Sequence, residues 1–225
     1  MDLRDVLRQT VEAVPEVIPL LDDAAFLLAV KPVKTSAEYT QVKRDYYNQI
    51  IVIVTGYLNS DAPATGYRND MRRAMVNAFL PAAEAGWTEG GAELPMDGAM
   101  LDWLGTQQTA ELGYIATLFQ ALKDLRKSED FDASMEAARR ADGYVATLDR
   151  IYNYAKTAAA KNKMLTFAGD DGAESCADCR RYKGKRHKAS WWVSHNAVPP
   201  NRDFECHGYH CQHILVTDAG EVWTG

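Results

Sequence analysis

The sequence predicts a mainly α-helical protein, a bundle of long helices followed by a small α+β C-terminal module stapled by its cysteines. Three observations lead there. Apolar residues recur at three- and four-residue spacing through most of the first 165 positions. That pattern breaks at Phe167-Ala-Gly-Asp-Asp-Gly172, a Gly/Asp-rich turn. All four cysteines, Cys176, Cys179, Cys206 and Cys211, fall in the 36 residues from 176 to 211. The expected division is therefore a helical domain over residues 1–165 and a Cys/His-rich module over 166–225.

The elements follow in order. A short helix is expected from Leu3 to Val14 and a second up to Val30, with Pro19 near its first turn. Lys31–Lys34 reads as a linker, and Thr35-Ser-Ala-Glu38 has capping-box spacing. Val42, Tyr46, Ile50, Ile53 and Tyr57 then mark one face of a long helix, although Ile50–Val54 is rich in β-branched residues. After a loop at Asn59–Gly66, the next helix runs from Tyr67 to Ala85 with Met71, Met75, Phe79 and Ala82 on its stripe. Gly86 reads as its stop signal, with Gly90-Gly91 extending the break. Arg68, Arg72 and Arg73 are expected on a solvated face, pairing with Asp70 and Glu84.

A third long helix is expected from Asp97 to Lys127, burying Leu101, Leu104, Gln108, Leu112, Ile115, Phe119 and Leu122. Gln107 and Gln108 interrupt its stripe and suit hydrogen bonds between helices. The last helix spans Phe131 to Lys163 with Met135, Ala138, Ala141, Val145, Leu148, Ile151 and Ala155 inward. Thr157–Lys163 reads as a polar terminus, its lysines favourable at the C-terminal dipole. Beyond the break, Ile214–Thr217 and Glu221–Thr224 joined by Asp218–Gly220 read as a terminal β-hairpin, with a further strand available between Lys185 and Trp192.

Composition sets outer limits. Apolar residues make up 47% of the chain and charged ones 25%, ordinary for a globular protein of 225 residues with a real core. The net charge of −6 argues against a general nucleic-acid coat. No apolar run approaches the length of a membrane span, and the acidic N-terminus lacks the apolar stretch of a secretory signal. A chain folded in the cytoplasm is expected.

The cysteines carry the chemistry. A C-x-x-C on a tight turn aims two sulfurs at one point, and a second pair from a distant segment closes a tetrahedron around zinc. Cys176 and Cys179 form the first pair; Cys206 and Cys211, spaced C-x4-C, form the second. The 26 residues between the pairs are somewhat more than the commonest spacing. His207, His210 and His213 crowd the second pair, so His213, or His187 from farther away, competes for a ligand position. Two disulfides, free thiols in a small core, a thioredoxin-like redox pair and a Cys–His nucleophile are the alternatives. The first conflicts with a reducing compartment, the second with the clustering, the third lacks a βαβ context, and the fourth lacks an orienting group.

Arg180, Arg181, Lys183, Lys185, Arg186 and Lys188 form a basic run ahead of Trp191-Trp192. Such a patch can make weak contact with DNA phosphate. Residues 166–225 nevertheless hold seven Lys/Arg against eight Asp/Glu, which favours a solvated hairpin offsetting the charge of a thiolate centre. His195-Asn196 beside four cysteines raises a second alternative, a zinc-stapled His-Asn-His nuclease. The Ala-Val-Pro-Pro that follows reads as loop rather than the helix such a nuclease needs.

The tail resembles the C-terminal module of phage head-morphogenesis proteins of the Mu minor-head type. The C-x-x-C, then Lys183-Gly-Lys-Arg-His-Lys-Ala-Ser-Trp-Trp192, then Glu205-Cys-His-Gly-Tyr-His-Cys-Gln-His-Ile-Leu215 carry the likeness. His213 stands where that family has the last cysteine of a C-x-C, and Lys183 where it has Asp or Asn. Either Cys206 or His213 thus completes the site. Gly66–Met75, Ala85-Gly-Trp87, Trp103–Thr109 and Tyr144–Tyr154 follow the family's order more loosely. The resemblance implies a non-enzymatic virion protein, present in few but multiple copies, associated with portal or capsid at the capsid interior.

Overall fold

The computed structural model describes residues 36–128, 131–169, 175–208, 211 and 213–224. The two helices expected before Val30, the linker after them and the first residue of the capping box lie outside these. Among the described residues, four long helices come first: α1 (Ser36–Leu58), α2 (Ala64–Glu89), α3 (Gly98–Leu125) and α4 (Ala133–Ala159). The chain is thus mainly helical, with a small antiparallel sheet near its C-terminal end.

Two of the helices begin on aspartate caps. The carboxylate of Asp97 accepts a hydrogen bond from the Met100 amide at 3.0 Å, and that of Asp132 accepts from Ser134 and Met135 at 2.8 and 3.0 Å. Each cap fills donors that the first helical turn cannot fill itself. The expected helix Asp97–Lys127 therefore ends up within two residues of α3 at both ends.

In α1, Tyr46, Ile50 and Tyr57 are buried as expected, joined by Tyr39 and Val54, while Val42 and Ile53 sit at the edge. Burial of Ile50 and Val54, four residues apart on one helical face, outweighs the β preference of Ile50–Val54.

Gly86 does not stop α2. The helix runs on to Glu89 because the glycines are contact surfaces. A Cβ on Gly86 would lie 2.2 Å from the Tyr152 carbonyl oxygen, and one on Gly90 2.3 Å from that of Lys156. Two missing side chains let α2 and α4 touch backbone to backbone. Arg72 also departs from expectation: it is buried, whereas Arg73 stays exposed and pairs with Asp70 at 3.4 Å.

In α4 the buried stripe is Ala137, Ala141, Tyr144, Leu148, Ile151 and Ala155. Met135, expected inward, is 67% exposed. It belongs to the capped first turn, which precedes the packed surface. Ala138 and Val145 lie one residue off the true stripe and are only partly covered. The first residue of the expected polar terminus, Thr157, is buried, and so is Lys156 before it, with the Lys156 ammonium 4.7 Å from the Trp223 ring and 2.7 Å from Glu89. The end of α4 is thus the seat of the C-terminal module.

That module opens with β1 (Met164–Ala168), so Phe167 and Ala168 close a strand rather than begin a turn. Then come α5 (Ala177–Tyr182), β2 (Arg186–Lys188), α6 (Ala189–Ser194) and β3 (Ile214–Thr217). β1 lies central in the order β2-β1-β3, with Leu165 opposite His187 and Phe167 opposite Leu215. The strand foreseen between Lys185 and Trp192 is its first half only; the remainder turns helical. The terminal hairpin has its turn, with the Gly220 amide donating to Thr217 at 2.9 Å, and its second arm, short of a regular strand, is tied to β3 by the Val216–Val222 bridge and by hydrogen bonds from the Thr217 amide to Glu221 at 2.9 Å and from the Trp223 amide to Leu215 at 2.7 Å.

Leu165, Phe167, Tyr182, Trp192, Phe204 and Leu215 form the module's core, with Cys179 among them. The Trp192 indole N–H donates to the Leu165 carbonyl at 3.2 Å, so this large ring is buried without an unfilled donor.

Candidate metal centre

The first cysteine pair is set by α5. Cys176 is the N-cap, and its sulfur accepts from the Cys179 amide at 3.4 Å. Residues three apart in a first helical turn share a face, so both sulfurs look the same way. Cys179 is 1% exposed and packs into the aromatic core.

The second pair comes from the loop after α6. Asn201, buried, folds that loop: its side-chain oxygen accepts from the Asp203 amide at 2.8 Å and its amide group donates to Asn196. His207 and Gly208 then take positive φ, 53° and 73°, and the chain doubles back. Two carboxylates latch this loop to α5. Glu205 accepts from the Ala177 amide at 2.8 Å, and Asp178 accepts from the Glu205 amide at 3.0 Å. Each cysteine-bearing turn thereby holds the other in place before any ion is considered.

The result brings all five expected donors together. Cys176, Cys179 and Cys206 form one group and Cys179, Cys211 and His213 another, the donor atoms of each lying within 4.8 Å of one another. Cys179 belongs to both, and its sulfur is 3.7 Å from that of Cys211. The four cysteines are free thiols. His213 is buried and stacks on Phe167 with ring centres 5.4 Å apart. Gly169 presses against it: a Cβ there would come 2.7 Å from the imidazole Cδ2. This cluster can hold a metal ion.

Without an ion the thiols are in tension. Burial pushes Cys179 far above the ordinary thiol value, and the neighbouring sulfurs of Cys176 and Cys211 push it further. Burial likewise leads in raising Cys206, to about 11, with Cys176 and Cys211 adding to it. Cys176 goes the other way. Burial acts upward there too, but hydrogen bonds from Cys179 and Cys206 outweigh it and leave the thiol below its usual value. Several sulfurs crowded together cannot all ionise unless a cation sits among them.

The other sequence candidates lie elsewhere. His187 is stacked on Trp191, rings 3.7 Å apart, and His195 covers that ring's other face at 4.0 Å. His207 is exposed, with Nδ1 3.2 Å from the Arg202 carbonyl. His210 is outside the described residues. Asn196 donates to Asp203 at 2.5 Å and so braces the loop, while Nδ1 of His195 lies 3.0 Å from the Trp191 carbonyl oxygen. In the basic run, Arg186 makes a two-pronged pair with Asp218 at 2.8 and 2.6 Å, Arg181 and Lys185 lie over Tyr182, and Arg180 donates to the Ser175 carbonyl. Much of the run is thus engaged within the module.

One charged group escaped sequence reading. Glu111, 1% exposed, faces Arg202 of the metal-site loop at 2.5 Å and Arg150 of α4 at 3.7 Å. Its signal was available: Leu104, Gln108, Glu111, Ile115, Leu118 and Leu122 alternate four- and three-residue steps, placing the carboxylate on the buried stripe.

No family model, curated protein or solved structure matches the chain.

Proposed function

We propose that the chain is a non-enzymatic structural or assembly protein of a phage head, a minor head protein associating with portal or capsid, its tail module stabilised by zinc. The observation that carries this reading is the convergence of Cys176, Cys179, Cys206, Cys211 and His213, the residues on which the resemblance is most specific. Thiolate-rich tetrahedral sets suit zinc. The 3.7 Å between the Cys179 and Cys211 sulfurs matches the edge of a tetrahedron with zinc–sulfur bonds of about 2.3 Å. Cys176, Cys179 and Cys211 supply three thiolates, and Cys206 or His213 the fourth ligand. More donors than ligand positions favours a closed, structural site over one with a vacant coordination position. Bound there, zinc supplies a cross-link between α5 and the loop after α6, in a module whose own core is small.

Two experiments test this. Native mass spectrometry with and without a strong chelator should find one zinc per chain, lost together with folding of the tail. A metal-free chain with a folded tail overturns the zinc reading. Mass spectrometry of purified particles of the encoding phage should find the chain in the head fraction; absence from heads and head precursors overturns the virion reading.

A further inference from the structure

The cysteine cluster has one donor more than a tetrahedral ion takes. The donors also differ in how deep they lie. Cys179 and His213 are buried, at 1% and 4% exposure, whereas Cys176 and Cys206 are both half-buried. Cys211 is half-buried too, but the sulfur beside it, at 3.7 Å, is that of buried Cys179. Cys176 and Cys206 are thus the two half-buried cysteines that share a donor group, their sulfurs within 4.8 Å of each other. Cys179 belongs to the core with Phe167, Tyr182 and Trp192, out of the reach of a dissolved oxidant.

The backbone around this pair is held by groups other than the sulfurs. The Ala177 amide, next to Cys176, donates to the Glu205 carboxylate at 2.8 Å, and the Glu205 amide, next to Cys206, donates to Asp178 at 3.0 Å. The two turns are fixed side by side whatever the sulfurs bind. An accessible thiol with a second thiol poised beside it is the arrangement in which reversible oxidation ends in a disulfide.

We propose that Cys176 and Cys206 are a disulfide-forming pair that exchanges one staple for another: thiolates around zinc in reducing surroundings, and a covalent bridge between the same two turns once peroxide is present. This rests on the zinc reading. The chemistry balances in two steps. At the Cys176 sulfur an S–O bond forms and the O–O bond of the peroxide breaks, leaving a sulfenic acid and one water. The Cys206 sulfur then attacks that of Cys176; the S–S bond forms, the S–O bond breaks, and a second water leaves. Two thiols and one peroxide become one disulfide and two waters, with two electrons passing from sulfur to oxygen. Cys179, Cys211 and His213 remain, one ligand short of a closed zinc site. The bridge joins α5 to the loop after α6, as the metal does, so the module keeps its fold while zinc is lost.

The test uses the full chain as purified. Native mass spectrometry first counts zinc. Hydrogen peroxide is then added with a zinc-binding dye present, the remaining thiols are alkylated, and peptides are mapped by mass spectrometry. The expected result is a Cys176–Cys206 bridge, transfer of the zinc to the dye, and recovery of both thiols under dithiothreitol. The oxidised module should stay resistant to limited proteolysis, unlike the chelated one. Cys206→Ser leaves Cys176, Cys179, Cys211 and His213 for the metal; it should form no bridge and lose that resistance under peroxide. The map of the unaltered chain decides even if this variant does not fold. Zinc that stays bound under peroxide, a bridge between any other pair, or a module that opens on oxidation overturns the proposal and leaves the zinc reading standing. A chain that holds no zinc at the outset overturns both.

Discussion

The bundle and the C-terminal module solve the same problem with different means. The bundle buries aliphatic and aromatic side chains from four helices of 23 to 28 residues each. Each helix satisfies its own backbone, so the sequence needs only to place an apolar stripe correctly. The module has strands of three to five residues and helices of six. Pieces this short cannot stand alone. They are held by an aromatic core and by carboxylate latches between loops, and on the proposed reading by zinc in the five-donor cluster. A bundle of this kind should tolerate local damage, while the module should depend on a few residues heavily.

If the cluster holds zinc as proposed, the sharpest way to break that contrast is to remove it. A chelator, or Cys179→Ser, should unfold the module while far-ultraviolet circular dichroism keeps the helical signal. Structural zinc contributes about 10 kcal/mol or more to small domains, more than the module's core could replace. The fluorescence of Trp191, Trp192 and Trp223 should change with the metal, and that of Trp87 and Trp103 should not. Simultaneous loss of both signals would mean that the two regions fold as one.

Next in size is the junction. Glu111→Ala should cost about 3 kcal/mol in urea denaturation, because Arg150 and Arg202 lose the buried carboxylate they share. If that cost is below half a kilocalorie, Arg202 does not tie the module to the bundle.

Within the bundle, glycines separate contact from propensity. Gly86→Ala should destabilise by about 3 kcal/mol, since its Cβ would collide with the Tyr152 carbonyl and neither helix backbone can yield. Gly113→Ala on α3, with nothing within 4 Å of the new methyl, should stabilise by about 0.5–1 kcal/mol. Equal effects of the two would refute the close approach of α2 and α4.

Acid should weaken the same helix pair more gently. Burial alone would raise the Glu89 pKa, but hydrogen bonds from Lys156 and Tyr152 overcome it and hold the carboxyl below the usual range. A carboxyl lowered by folding stabilises above its unfolded value, about 4.3, and that contribution fades as pH falls through the folded value. Stability measured from pH 6 down to 3 should therefore fall less steeply in Glu89→Gln than in the unaltered chain. The smallest expected effect is at Met135, where replacement by Ser should stay within about 0.5 kcal/mol. Ile151→Ala, four turns on and fully buried, should cost about 2–5 kcal/mol.

Most of the bundle was legible because helical periodicity is a local property. The start of α3 at Asp97 and the stripes of α1 and α3 announced themselves within a few residues, whereas the Asp132 cap of α4 went unread. The errors came where a distant partner decides. Gly86 looks like a stop until the Tyr152 backbone is known to lie against it, and nothing local shows that Lys156, just before the expected polar terminus, is buried under Trp223. The phase of α4 slipped at Met135 because nothing local says where packing begins. In the module the donors were legible from residue type and spacing, but β1 was not, since Met164–Ala168 is a strand only through its pairing with β2 and β3.

The sequence by itself thus determined the helical class and the five side chains of the cluster, because each is written in near-neighbour spacing or in the chemistry of sulfur and imidazole. Only the tertiary structure decided that Cys179 is shared by both donor groups, that Asp178 and Glu205 brace the two turns, and that Glu111, Arg150 and Arg202 meet. Those depend on segments brought together from far along the chain, whose separations no local pattern encodes.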